Sequence, residues 1–140
     1  MIELPSGRLL GAIRVHCRQV EPVNTCYTTY SDDGGKTWSM PKSTDVDGLP
    51  PHLFLHSSGA VILSYACRAS EKKSERAAVS YDGGETWSDD YVLNDNIPFR
   101  DLGYPATTEC SDGSLITVYY QCYPGDDFCS VLQTKWKLEK

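Results

Sequence analysis

Two aspartates, Asp33 and Asp82, occupy the same place in a phrase that the chain uses twice. Ser31-Asp32-Asp33-Gly34-Gly35-Lys36-Thr37-Trp38 returns 49 residues later as Ser80-Tyr81-Asp82-Gly83-Gly84-Glu85-Thr86-Trp87. Both copies read SxDxGxTW and both are followed by serine (Ser39, Ser88). A carboxylate fixed twice in register can carry chemistry, as a catalytic group or a metal ligand. It can instead accept hydrogen bonds from the backbone N–H groups of its own turn. The surrounding residue types favour the second use. Gly35 and Gly84 permit a left-handed backbone, and Trp38 and Trp87 each supply a large ring to bury against a neighbouring strand.

The six cysteines (Cys17, Cys26, Cys67, Cys110, Cys122, Cys129) are the next reactive set. None is spaced CxxC, which weakens a zinc or thioredoxin-type reading, and no other metal or cofactor motif is present. Cys17/Cys26 and Cys122/Cys129 each flank a short polar connection between expected strands, where an oxidising compartment would allow cross-hairpin disulfides. Without an export signal, free half-buried thiols are the favoured expectation.

The repeat itself dictates the scaffold. A fixed period near 50 residues is the signature of propeller blades. A second recurring phrase supports this: Leu4-Pro5-Ser6-Gly7-Arg8-Leu9-Leu10, His56-Ser57-Ser58-Gly59-Ala60-Val61-Ile62 and Cys110-Ser111-Asp112-Gly113-Ser114-Leu115-Ile116. Polar residues ending in glycine between apolar runs are hairpin-turn chemistry. Each repeat then has a first strand, a tight turn and a second strand: Leu9 to Val15, Val61 to Cys67 and Leu115 to Gln121. Thr25 to Tyr30, Arg76 to Ser80 and Gln133 to Leu138 read as third strands. Trp38 and Trp87 are expected to open fourth strands. No 3.6-residue apolar stripe survives the Gly and Pro punctuation, so no helix is expected.

The fold class is therefore all-β: a partial propeller of about three four-stranded antiparallel blades. Residues 1–49 form a blade without its innermost strand, with the box at 31–38. Residues 50–98 form a complete blade with the box at 80–87, and residues 99–140 an incomplete last blade. Propellers close with roughly 4–8 blades, so the ring needs further blades from a second copy or from upstream sequence.

The formal net charge of −6 argues against nucleic acid as a partner. No apolar run reaches the roughly 20 residues of a membrane span. Met1 to Ser6 shows neither a basic n-region nor an apolar h-region, which slightly favours a cytoplasmic chain over a secreted one and leaves the compartment open.

The repeated SxDxGxTW resembles the Asp box, or BNR repeat, of sialidases and their relatives. The likeness continues through Gly48-Leu49-Pro50-Pro51-His52-Leu53-Phe54-Leu55, Arg68, Arg76, Asp101-Leu102-Gly103-Tyr104-Pro105 and the stretch Asp112 to Gln121. It covers nearly the whole chain and resembles the C-terminal half of a six-bladed bacterial exo-sialidase-like propeller. The resemblance implies hydrolysis of a terminal α-linked sialic acid, or a related acidic sugar, by a tyrosine nucleophile. It also implies a sialylated or related glycan as partner, with no cofactor.

By that resemblance Tyr104 is the candidate nucleophile, and Arg68, Arg14 and Arg76 are candidates for an arginine clamp on the sugar carboxylate. Arginine suits a clamp because its planar fork binds a carboxylate through two hydrogen bonds. His52 stands where established relatives often carry a glutamate, and a neutral imidazole there would take the phenol proton. Asp101, beside the tyrosine segment, is the nearest alternative carboxylate. The Asp acid/base of the family lies in blades absent from this sequence. Two rivals follow: a non-catalytic BNR module that binds glycans or adds propeller surface, and an inactive truncated fragment.

Overall fold

The aliphatic runs of the sequence all become strands, and their lengths follow the turn chemistry between them. The structure, a computed structural model, describes residues 1–15, 25–69, 71 and 73–139, and for residues 89 and 90 the backbone alone. The first sheet contains β1 (Ile2–Glu3), β2 (Leu9–Arg14), β3 (Thr25–Ser31) and β4 (Lys42–Asp47). The second contains β5 (His52–Leu55), β6 (Val61–Cys67), β7 (Ser74–Ser80) and β8 (Ser88–Asn94). The third contains β9 (Leu102–Glu109), β10 (Leu115–Gln121) and β11 (Ser130–Trp136). Strands lie in chain order within each sheet and pair antiparallel with their neighbours. No helix occurs among the described residues. The protein is an all-β partial propeller, and each sheet is a blade.

Two expectations need correction. The first blade does not lack its innermost strand: Ile2 pairs with Leu10 and Glu3 with Leu9, because the Leu4–Gly7 turn folds them back onto β2. Trp38 does not open β4, which starts four residues later at Lys42. Pro41 intervenes and has no N–H to give a ladder. Trp38 instead lies over Gly11 of β2 and stays 42% exposed. Trp87 packs against the core shared by the first two blades.

β6 shows how blades stack. All seven of its residues are buried. Val61, Leu63, Tyr65 and Cys67 point toward the first blade, where Leu4, Leu10, Cys26, Val46 and Leu49 meet them. Ile62 and Ala66 point the other way, toward Leu115 and Leu102 of the third blade. A strand buried on both faces has no polar alternation, hence its continuous apolar run. The one hydroxyl on its third-blade face, Ser64, joins a buried chain: Ser64 to Thr107 at 2.5 Å, Thr107 to Thr117 at 2.8 Å, and Trp136 Nε1 donating to Thr117 at 3.0 Å. These polar groups tolerate burial because they satisfy one another.

Antiparallel order places alternate connections at opposite ends of each blade. The hairpin turns share one end with the Asp boxes. Gly7, Gly59 and Gly113 all take positive φ there (84°, 90° and 72°), as the turn chemistry requires. The second-to-third-strand connections and the links between blades share the other end.

Candidate functional site

The Asp boxes close on themselves. Asp33 Oδ1 accepts the Lys36 and Thr37 amides at 2.9 Å each, and the Ser31 hydroxyl at 2.8 Å, while Oδ2 takes the Thr37 hydroxyl. Asp82 repeats the set with Glu85, Thr86 and Ser80. The hydroxyls of Thr37 and Thr86, then the turn amides, hold the two carboxyls down at about 2. Both oxygens of each carboxylate accept from its own turn, so these aspartates staple it.

The chemistry-bearing residues gather at the opposite end, around the start of β9. Gly103 pairs with Tyr120 and Ala106 with Val118, so Tyr104 and Pro105 together stand against Tyr119 alone. That is a β-bulge, a device that re-aims a side chain. Tyr104 takes φ of 50°, rare for a bulky residue and costing roughly 1–3 kcal/mol. Pro105, with no N–H, fits the position where the ladder is interrupted. Gly103 (φ 122°) is pressed against β6: a Cβ there would lie 2.8 Å from Ala66 Cβ and 3.3 Å from Arg68 Nη2.

Arg68 fixes this strand start from the second blade. Its Nε and Nη2 both donate to the Leu102 carbonyl, at 3.0 and 2.5 Å. Arg100 Nε in turn donates to the Arg68 carbonyl at 3.1 Å. The result is an exposed Tyr104 ring (60%) whose centroid is 5.9 Å from that of Tyr120, tilted by 32°. The Tyr120 hydroxyl donates to Asp101 Oδ1 at 2.5 Å. Burial, then this hydrogen bond and the Asp101 charge, push the Tyr120 phenol up to about 12. It stays a hydroxyl across the physiological range.

The expected site residues thus separate. Arg68, Asp101 and Tyr104 lie around one strand start, with Tyr120 added by the structure. Asp101 holds the Tyr120 hydroxyl. His52 sits half-buried on β5, where its Nδ1 accepts the Thr107 amide at 3.3 Å. Burial lowers its pKa, which keeps the ring neutral, but its contacts are with the buried threonine chain and none among the described residues is with Tyr104. Arg76 lies on the other face of its sheet. It stands opposite Tyr65 in the register, donates to Ser74 Oγ, and lines a cavity of about 370 Å³ between the first and second blades. Arg14 is exposed at the end of β2 in the first blade, and no contact among the described residues joins it to Arg68 or Tyr104. Arg14, Arg68 and Arg76 thus lie toward the same end of their blades, with Arg68 held on the third blade and Arg76 facing the first.

Glu75 was missed by the sequence reading. It is fully buried on β7 opposite Ala66, on the face that meets the third blade, and neither carboxylate oxygen has a hydrogen-bond partner. Burial pushes it up to about 8, with the nearby Arg68 charge pulling the other way. The expectation of free thiols also needs correction for one pair: Cys122 and Cys129 form a disulfide across the Tyr123–Phe128 loop. The loop's two ends emerge from adjacent antiparallel strands, which brings the sulfurs together. Cys26, Cys67 and Cys110 are free thiols, and Cys17 lies outside the described residues. Asp101 and the two disulfide sulfurs converge within 4.8 Å, but sulfurs bonded to each other are not thiolate ligands.

Face-to-face antiparallel blades, stapled at one end and carrying polar and aromatic side chains at the other, define a repeat protein of the β-propeller class. Residues 1–118 match the family model of the BNR repeat-like domain, and the chain belongs to that family. The chain is similar in structure to a protein of unknown function from Dyadobacter fermentans, with a TM-score of 0.83, 22% identity, and coverage of 99% of this chain and 37% of that one. It is also similar to the GH93 α-L-arabinofuranosidase of Fusarium graminearum, solved with arabinobiose, with a TM-score of 0.66, 18% identity, and coverage of 97% and 45%. The chain thus spans less than half the length of either. No curated protein matches the sequence.

Proposed function

We propose that the chain supplies the glycan-binding end of a sialidase-like glycoside hydrolase propeller, with Tyr104 at the centre of the site. The observation behind this reading is the bulged, left-handed Tyr104, exposed over Tyr120 and Asp101 and anchored through Leu102 by Arg68. Backbone strain of this kind persists where the surroundings over-determine it, and it clusters at ligand sites. Membership of the BNR repeat-like family and the fold shared with an arabinofuranosidase support a glycan as the ligand.

In the catalytic form of this reading Tyr104 attacks the anomeric carbon, and an acid/base comes from additional blades, contributed by a second copy or a longer form of the protein. In its sialidase form the sugar is sialic acid and Arg68 meets its carboxylate. The second reading, a non-catalytic glycan-binding module, is favoured by one observation: His52 Nδ1 is occupied by the Thr107 amide. Release of fluorogenic sialosides and arabinofuranosides, by the chain alone and by a form with further blades, separates the two. The catalytic reading expects activity in the longer form and a loss of at least roughly a hundredfold in Tyr104→Phe with sugar binding retained. Inactivity of both forms alongside measurable sugar binding would leave the module reading standing.

A further inference from the structure

We propose that Asp101, Cys122 and Cys129 form a binding site for a thiophilic divalent cation such as Zn²⁺, open when the Cys122–Cys129 disulfide is reduced and closed when it forms. The proposal goes beyond the glycan reading and stands whether or not that reading does. It begins with the backbone of the third blade. Leu102, Gln121 and Ser130 stand abreast on β9, β10 and β11, since Gln121 pairs with both of the others. One step further along each strand, in the same direction, come Asp101, Cys122 and Cys129. The Cys122 amide donates to the Asp101 carbonyl at 3.3 Å, and the Cα atoms of Cys122 and Cys129 are 4.2 Å apart. Residues abreast on neighbouring strands present their side chains on one face. The ladders therefore gather these three side chains with or without a bond between the sulfurs.

Their ligand atoms converge: one carboxylate oxygen and the two sulfurs lie within 4.8 Å of one another. Asp101 Oδ2 is 3.8 Å from Cys122 Sγ. A tetrahedral Zn²⁺ with sulfur at about 2.3 Å and oxygen at about 2.0 Å sets sulfur and oxygen about 3.5 Å apart, and two sulfurs about 3.8 Å apart. The first separation is nearly met, and the second needs only rotation of the cysteine side chains once the sulfurs part. Two thiolates select Zn²⁺ over Ca²⁺ or Mg²⁺, and three protein ligands leave a fourth position for water. Asp101 divides its oxygens between two tasks: Oδ1 accepts the Tyr120 hydroxyl and Oδ2 faces the sulfur. The Tyr120 hydrogen bond thus orients the ligand from behind, as outer partners of metal ligands do. Asp101 and Cys129 are exposed, so reductant and metal both have access. A dithiol reductant supplies two electrons and two protons, the S–S bond breaks to two thiols, and the reductant closes to its own disulfide. The metal then releases both thiol protons to solvent and takes the sulfurs as thiolates.

The test titrates the whole 140-residue chain with Co²⁺ and then Zn²⁺, after reduction by a phosphine and again after reoxidation, while circular dichroism follows the fold. The expected result is one Co²⁺ per reduced chain, with thiolate charge-transfer and tetrahedral ligand-field absorption that Zn²⁺ bleaches, and neither band in the oxidised chain. Cys129→Ser and Asp101→Asn should each weaken binding roughly tenfold or more, and Cys110→Ser should leave it unchanged. If reduction loosens the fold, Zn²⁺ should restore it in the parent and not in Cys122→Ser. Failure of the reduced chain to bind Co²⁺, or equal binding by the oxidised chain, would overturn the proposal. So would bands that persist in the Cys122→Ser, Cys129→Ser double variant, or an affinity indifferent to Asp101→Asn.

Discussion

The two ends of the blades use carboxylates in opposite ways. At the Asp-box end, Asp33 and Asp82 accept from hydroxyls and amides of their own turns, and the two boxes are near copies in distance and partner. At the other end the groups described differ from blade to blade. Asp101 binds a phenol from another strand, Glu75 is buried with no hydrogen-bond partner, and Tyr104 sits on a bulge in strained backbone. The repeated phrase therefore marks what every blade needs to hold its shape. Among the described residues, the strained tyrosine and the buried carboxylate without a hydrogen-bond partner both lie at the end where the repeat breaks down.

The largest effect expected from perturbing the contrast is on the stapled end. Gly84 has φ of 93°, and a Cβ there would fall 2.6 Å from Leu10 Cδ2. Gly84→Ala adds left-handed strain of about 1–2 kcal/mol to overpacking of about 1–3 kcal/mol. Urea unfolding should show a loss of about 2–4 kcal/mol, with sugar binding by the folded fraction unchanged. A loss below roughly 1 kcal/mol would mean that the box does not brace the first blade against the second.

Glu75→Gln is the next step down, and it acts in the opposite direction. Below about pH 4 the carboxyl is protonated in both folded and unfolded chains, so its burial carries no charge penalty. As pH rises toward 8 the unfolded chain releases the proton while the folded chain keeps it, and stability falls through that window. Among the described residues, the charge that acts on it is that of Arg68. Glu75→Gln should therefore be more stable than the parent at pH 8, by on the order of a few kcal/mol, and indistinguishable near pH 4. Equal stability of the two proteins across the range would show that Arg68 fully compensates the buried charge.

The boxes themselves give a smaller pH effect of the other sign. Carboxyls held at about 2 when folded stabilise the protein above their unfolded value near 4, and that stabilisation is lost as pH falls from about 4 to 2. The double variant Asp33→Asn, Asp82→Asn should be less stable at neutral pH and show a shallower acid transition by circular dichroism. An acid transition as steep as the parent's would place the titrating groups elsewhere.

The same contrast governs what could be read from sequence. SxDxGxTW and the Ser-Gly hairpins were legible because their hydrogen bonds span four residues or fewer, so type and spacing contain the whole structure. β6 was legible because burial on both faces leaves an unbroken apolar run. Tyr104 could be singled out only by resemblance, since its bulge depends on Gly103 packing against Ala66 and on Arg68 reaching Leu102, 34 residues away. The arginines show the same limit: equivalent places in a repeat do not fix which face a side chain takes, and Arg76 faces the first blade while Arg68 reaches the third. Glu75 did leave a signal. It shares strand parity with Ala77 and Val79, both fully buried, so a carboxylate stood in an inward series. The Cys122–Cys129 pair left one too, in a hairpin loop with a glycine at its turn (Gly125, φ 88°).

The smallest expected effect isolates the hydrogen bond at the unrepeated end. Tyr120 is raised chiefly by burial, with the Asp101 hydrogen bond and charge adding to it and Arg68 opposing. Asp101→Asn removes the charge and keeps an oxygen for the phenol to bond. The Tyr120 pKa, followed by ring-carbon NMR, should fall from about 12 yet stay above the ordinary value near 10, because burial remains. A fall to the ordinary value would make Asp101, and not burial, the main cause, and would mean that Tyr120 is open to solvent behind Tyr104. No change at all would mean that the phenol does not bond to Asp101 in solution. The Asp101 carboxylate would then have no fixed orientation, and the exposed Tyr104 ring would lose a polar anchor behind it, the Tyr120 hydroxyl held by Asp101.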